Sequence, residues 1–141
     1  MKIMFDSNIF DKLPTFIDQI KSSTTIYEYY ITTIQVEELC DIPDIEKRKT
    51  NILMLADLRA KLIPNSVCVL GHSRLGYSRL GEGDVYNLII NENKSNIKDA
   101  IIADTAVKEG CTLITEDKRF YNKMKSNGFA VLKFDDFLSE F

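Results

Sequence analysis

Thr112-Leu113-Ile114-Thr115-Glu116-Asp117 is a short apolar run that closes on two acids. Its β-branched residues and the preceding Gly110 predict a buried strand over 112–115. The opening Lys2-Ile3-Met4-Phe5-Asp6 has the same form, and Ser7-Asn8 after it suits a strand end and a helix start. Placed in one parallel sheet, the two runs would bring Asp6 and Asp117 to the same rim. An acid at a strand end is often just a helix cap. Two at matching ends point further.

The intervening chain reads as alternating elements. A helix is predicted from Ile9 to Lys21, with Pro14 near a helix start, and a strand from Tyr27 to Thr32. Thr32 and Gln35 fit a capping box for a helix from Thr33 to Cys40. Asp41-Ile42-Pro43-Asp44 breaks it. A long helix from Ile45 to Leu62 follows, with Leu53, Ala56 and Ala60 near helical spacing. Val67 to Leu70 reads as a short strand or an apolar loop. Ser-Arg-Leu-Gly then occurs twice at an interval of five residues, from Ser73 and from Ser78, a mobile loop or frayed helix rather than a solenoid. Asp84 to Asn91 is helical and 91–96 a polar turn. Ile97 to Lys108 is a helix stopped by Gly110. Phe120 to Ser126 is a helix and Phe129 to Phe134 the last strand, with Asp135 or Asp136 capping a final helix. Four strands alternating with helices predict an α/β fold with a parallel sheet covered on both faces. The functional crevice of such a sheet lies beyond the carboxyl ends of its strands. No linker interrupts residues 1–141, so one domain is expected.

The 141 residues are 45% hydrophobic and 28% charged, as in an ordinary globular protein. The start of the chain lacks the long apolar stretch of a signal peptide, and no run is long enough to span a membrane. Cys40, Cys68 and Cys111 are odd in number and scattered, which argues against a disulfide framework or zinc site and for reduced, buried thiols. A cytoplasmic protein without membrane association is expected. The net charge of −3 is unusual for a nucleic-acid binder. Binding, however, needs a local basic surface rather than a basic total, and two divalent ions on clustered acids would offset it.

Two helical acids complete the set. Glu38, between Val36 and Leu39, falls partly on an apolar face, where an acid is costly without a partner. Its neighbour Glu37 points about 100° away and reads as solvated. Asp99 opens Asp99-Ala100-Ile101-Ile102-Ala103, where small residues allow close approach to the sheet; alternatively it is a first-turn acid favoured by the helix dipole. Asp104 lies on another face. An oxygen-only set of Asp6, Glu38, Asp99 and Asp117 suits Mg²⁺ or Mn²⁺ and phosphodiester cleavage through an activated water. Lone His72 reads as an exposed loop residue. No phosphate loop of the GxxxxGK[ST] type and no serine or cysteine nucleophile setting is present.

These residues resemble the motifs of the PIN-domain family, and within it the VapC-type toxins. Phe5-Asp6-Ser7-Asn8 resembles the first acidic motif. Thr32 to Leu39, with Glu38 before Leu39, resembles the second, Asp99 to Ala103 the third, and Leu113 to Phe120 the fourth. The resemblance covers the chain in order. It implies a three-layer α/β/α sandwich and a metal-dependent endoribonuclease with Asp6, Glu38, Asp99 and Asp117 as catalytic metal ligands. Ser7, Asn8 and Thr115 would orient them. It also implies an RNA substrate, a homodimer, and a cognate antitoxin whose tail blocks the site, as in a type II toxin-antitoxin pair. Asp104 departs from the small or apolar residue common there. Gly81-Glu82-Gly83-Asp84 resembles an acidic motif of other branches, which makes Glu82 and Asp84 candidates to supplement or replace Asp99.

Lys118, Arg119, Lys123 and Lys125 follow Asp117 and are candidate phosphate contacts, or ordinary solvated surface. Arg74, Tyr77 and Arg79 pose the same choice for backbone contact and base stacking. Two other readings stand beside the nuclease. One is a catalytically silent PIN-like module that binds RNA or protein. The other is a phosphotransferase with an Asp nucleophile, which would want an acid where Asn8 stands.

Overall fold

The chain alternates apolar strands with helices, and a parallel sheet is the way such units bury both strand faces. The computed structural model describes residues 1–73, 76–90 and 97–141. Among these, β1 (Lys2–Phe5), β2 (Glu28–Thr32), β3 (Lys61–Ile63), β4 (Thr112–Thr115) and β5 (Val131–Lys133) form one sheet in the order β3-β2-β1-β4-β5. Every pairing is parallel. The chain steps outward from β1 to β2 and β3, then returns to the other side of β1 with β4 and β5. The order therefore reverses between β1 and β4, where connections leave in opposite directions and a crevice opens at the carboxyl ends.

Alternating side chains feed two cores. Ile3, Phe5 and Ile114 point to one face, with α1 (Leu13–Ser22), α3 (Ile45–Asp57) and α7 (Phe134–Leu138). Met4 and Leu113 point to the other, packed with α4 (Asp84–Ile90), α5 (Ile97–Lys108) and α6 (Lys118–Ser126). Helices on both faces of the sheet give the α/β/α sandwich the sequence implies. Residues Ala100 to Ala106 of α5 are all buried, so this helix lies inside rather than on the surface. The capping box of α2 (Thr33–Cys40) forms as expected, with Thr32 and Gln35 bonded reciprocally. Gln35 is also fully buried and donates to the Phe5 carbonyl, which ties the start of α2 to the end of β1.

Two expectations need correction. The helix expected to run to Leu62 ends at Asp57. Arg59 then takes a left-handed φ of 53°, which no helix continues through, and 61–63 becomes the edge strand β3. Of the two readings left open for Val67 to Leu70, the loop is the one that forms. Helix α7 starts at Phe134 with Lys133 in the capping position, and Asp135 and Asp136 occupy its first turn. The polar turn expected over 91–96, and Arg74, lie outside the described residues. Among those described, no helix is long and apolar enough to cross a membrane.

Candidate active site

Asp6 follows β1 at the point where the strand order reverses. Its backbone N–H continues the ladder to the Ile114 carbonyl at 2.8 Å. The residue is 3% exposed. Oδ1 accepts from the Ser7 N–H at 2.7 Å, and Oδ2 accepts from the Thr115 hydroxyl at 2.7 Å. Burial pushes the Asp6 carboxyl up to about 6. The bonds from Thr115 and Ser7 oppose this, while the negative charges of Glu38 and Asp117 add to it.

The other carboxylates arrive from three helices. Asp117 lies just beyond β4 and caps α6, its Oδ1 accepting from Arg119 N–H at 2.7 Å and Phe120 N–H at 2.9 Å. Its own N–H donates to Thr115 Oγ1 at 3.1 Å. Glu38 lies half-buried on α2, accepts from the Ser7 hydroxyl and pairs with Lys98 at 3.2 Å. Asp99 sits in the first turn of α5, partly buried. Burial, then the charges of Asp6, Glu38 and Asp117, push its carboxyl up to about 7. The four acids thus share one electrostatic field at the crevice. Among the described residues no three acids are drawn together closely enough to grip one ion. Three of the four are turned to nearer donors instead: Asp6 to Thr115 and Ser7, Glu38 to Ser7 and Lys98, Asp117 to the start of α6. As donors, four carboxylate oxygens in a part-buried crevice fit a hard divalent cation.

Ser7, Asn8 and Thr115 act as the polar neighbours the sequence suggests. Asn8 reaches Thr115 Oγ1 and the Glu116 N–H, both at 3.4 Å. Glu82 and Asp84 are exposed, and neither is among the charges acting on Asp6 or Asp99.

Asp104, on another face of α5, is fully buried. It accepts from the Ser66 hydroxyl and from the Tyr86 N–H at 3.1 Å, and pairs with Lys108 at 3.1 Å. It fastens Ser66 and the first turn of α4 to α5. Sequence reasoning weighed it only as a less favoured metal ligand; an acid inside the apolar run 100–106 was the available signal for its structural role, since such an acid demands partners.

Three expectations about side-chain setting change. Lys123 donates to the Ile89 carbonyl at the end of α4, so it is a structural bond and not a free cation. Of the cysteines, Cys111 is buried, but Cys40 is exposed and Cys68 half-buried. His72 is half-buried in a turn, with its N–H on the Val69 carbonyl, rather than exposed.

The family model of the PIN domain matches residues 3–126. This chain belongs to the PIN-domain family. No curated protein matches its sequence. Among solved structures it is similar to a chain of VapBC2 from Rickettsia felis, bound to a DNA fragment from its promoter. The TM-score is 0.61 at 15% identity, over 94% of this chain and 98% of that one. It is also similar to a PilT N-terminus domain protein from Sulfolobus solfataricus P2. There the TM-score is 0.52 at 18% identity, over 99% of this chain and 92% of that one. Likeness at these identities speaks to the shared fold.

Proposed function

We propose that this chain is a single-domain endoribonuclease of the VapC type. It would cleave RNA phosphodiester bonds with Mg²⁺ or Mn²⁺ held by Asp6, Glu38, Asp99 and Asp117. The observation that carries this reading is the gathering of Asp6, buried at the strand-order reversal, and Asp99 on α5 in the field of Glu38 and Asp117, with both carboxyls raised. A cluster of acids at a crevice is costly to hold, and a cation is the ordinary compensation.

When bound there, a divalent cation supplies charge stabilisation and a more acidic water for attack on phosphorus. The chain's own residues prepare the ground. Thr115 and the Ser7 N–H hold the two Asp6 oxygens. The Ser7 hydroxyl holds Glu38. Asp117 is fixed by its bonds to the first turn of α6. The likeness to VapBC2 supports a protein antitoxin as partner, the family resemblance adds a homodimer, and the odd, scattered cysteines suit a cytoplasmic setting.

One observation favours the alternative, a catalytically silent module that binds RNA or protein. Glu38 is paired to Lys98, a bond that a metal ligand would have to release. Incubating labelled RNA with the protein and Mg²⁺ or Mn²⁺ separates the two. Cleavage that is abolished by a chelator and by Asp99→Asn supports the nuclease. Binding without cleavage under every metal supports the silent module.

A further inference from the structure

Beyond the acids, on the β5 side of the crevice, lies a second concavity between β4, α6, β5 and α7. Thr115, Glu116, Lys118, Tyr121, Lys133 and Asp135 line it. We propose that this cleft is a phosphodiester subsite that holds an RNA strand beside the Asp6 carboxylate cluster. The proposal rests on the nuclease reading above and names where its substrate lies.

Thr115 belongs to both places. Its hydroxyl bonds Asp6, and the same residue lines the cleft. A strand whose reacting phosphate faces Asp6 can therefore continue into the cleft without leaving the sheet edge. The charge there favours an anion. Glu116 is neutralised by Lys12. Lys118 and Lys133 have no carboxylate partner among the described residues. Among the described residues Asp135 is the one lining carboxylate without an ion pair, against the two ammonium groups of Lys118 and Lys133, so the lining carries a net positive charge.

Tyr121 positions the cations. The Lys133 ammonium sits over its ring, 5.4 Å from the centroid, and Lys125 does the same at 5.4 Å. Lys125 also donates to the Tyr121 hydroxyl at 3.2 Å. Cations held over a ring lose less freedom on meeting a phosphate than cations waving in solvent. The ring keeps Lys133 at the cleft rather than extended away from it. Of the four basic residues that follow Asp117 in the sequence, Lys123 is excluded by its bond to Ile89. Lys133, fifteen positions after Lys118, enters through β5 instead.

The test is fluorescence anisotropy of a labelled single-stranded polyuridine RNA with the full chain in EDTA, titrated at several salt concentrations. The Lys118→Ala/Lys133→Ala double variant is compared with wild type and with Lys21→Ala/Lys47→Ala, whose lysines are paired to Asp57 and Asp11. Losing two phosphate contacts to a single strand lowers the salt slope by about 1.4. Between about 50 and about 200 mM salt, wild-type affinity should thus fall about sevenfold further than that of the cleft variant. Tyr121→Leu should weaken binding in the same direction, and the control pair should follow wild type. Equal salt slopes for the cleft variant and wild type would overturn the subsite, as would wild type that fails to bind. If the slopes differ as stated while wild type cuts no RNA under any metal, the subsite stands and the nuclease reading falls.

Discussion

Thr115 Oγ1 donates to Asp6 Oδ2 at 2.7 Å, joining residues 109 positions apart at the ends of two neighbouring parallel strands. The same oxygen accepts from the Asp117 N–H at 3.1 Å. One buried hydroxyl therefore fixes both strand-end acids. Thr115→Val keeps the shape and removes both bonds. It leaves a buried carboxylate oxygen and a backbone N–H without partners, at a cost of about 1–3 kcal/mol. Thr115→Ser should recover most of it. Chemical denaturation of the three proteins checks the order, and a valine variant as stable as wild type would show that the bond does not hold the site.

The raised carboxyls give the metal-free protein a definite pH dependence. Asp6 stands at about 6 and Asp99 at about 7 in the folded chain, both above the unfolded value of 3.8. The folded state thus binds more protons than the unfolded state between those limits. The associated stability is fully present below 3.8 and is lost as pH rises through the folded values. For Asp6 the effect is on the order of 3 kcal/mol. Asp6→Asn should melt higher than wild type at neutral pH without metal, and its melting temperature should decline less between acid and neutral pH. Thermal melts in EDTA across that range measure both; a wild type that gains stability from pH 4 to 7 contradicts the sign.

Asp104 ties Ser66 and the first turn of α4 to α5, and pairs along α5 with Lys108. Gly81 lies so close that a side chain there would overlap the Ser66 carbonyl oxygen. Asp104→Ala strands those donors and should destabilise by about 3 kcal/mol. It should also loosen the segment between Ser66 and Tyr86 locally before global unfolding. Limited trypsin digestion followed by mass spectrometry should show faster cleavage after Arg79 than in wild type. An unchanged cleavage pattern would mean that the segment is held by other contacts.

The thiols should differ in order of reaction. Cys111 is 3% exposed, and burial pushes it up to about 11. It is both protonated and shielded at about pH 8. Cys40 is exposed. Iodoacetamide should label Cys40 first and Cys111 only after denaturant is added, as read by peptide mass. Early labelling of Cys111 would contradict its packing beneath α5.

What the sequence discloses and what it hides follow from how local each signal is. The strands ending at Asp6 and Asp117 were legible because apolar runs stopped by polar residues are written in consecutive positions. The capping box at Thr32 and Gln35 was legible for the same reason. β3 was not. Leu53, Ala56 and Ala60 continued a helical period, and nothing local announced that Arg59 would turn left-handed. The strand that follows has three residues, and Leu62 is 56% exposed, so it lacks the apolar signature of a buried strand. Lys123 was misread because its partner is a carbonyl on α4, 34 residues away. The role of Asp104 depends on Ser66, 38 residues away. The four acids could be proposed from motif order, but their shared field, and the Lys98 bond to Glu38, are properties of the folded chain.

The central claim is that Asp6, Glu38, Asp99 and Asp117 form one metal site. A cation that binds the assembled site and not the unfolded chain raises stability by mass action. The direct measurement is the melting temperature with increasing Mn²⁺, for wild type, Asp6→Asn and Asp99→Asn. The account predicts a rising melting temperature for wild type and a largely lost response in both variants, although both start from a higher metal-free value. A wild type that does not respond to Mn²⁺, or variants that keep its full response, would contradict it.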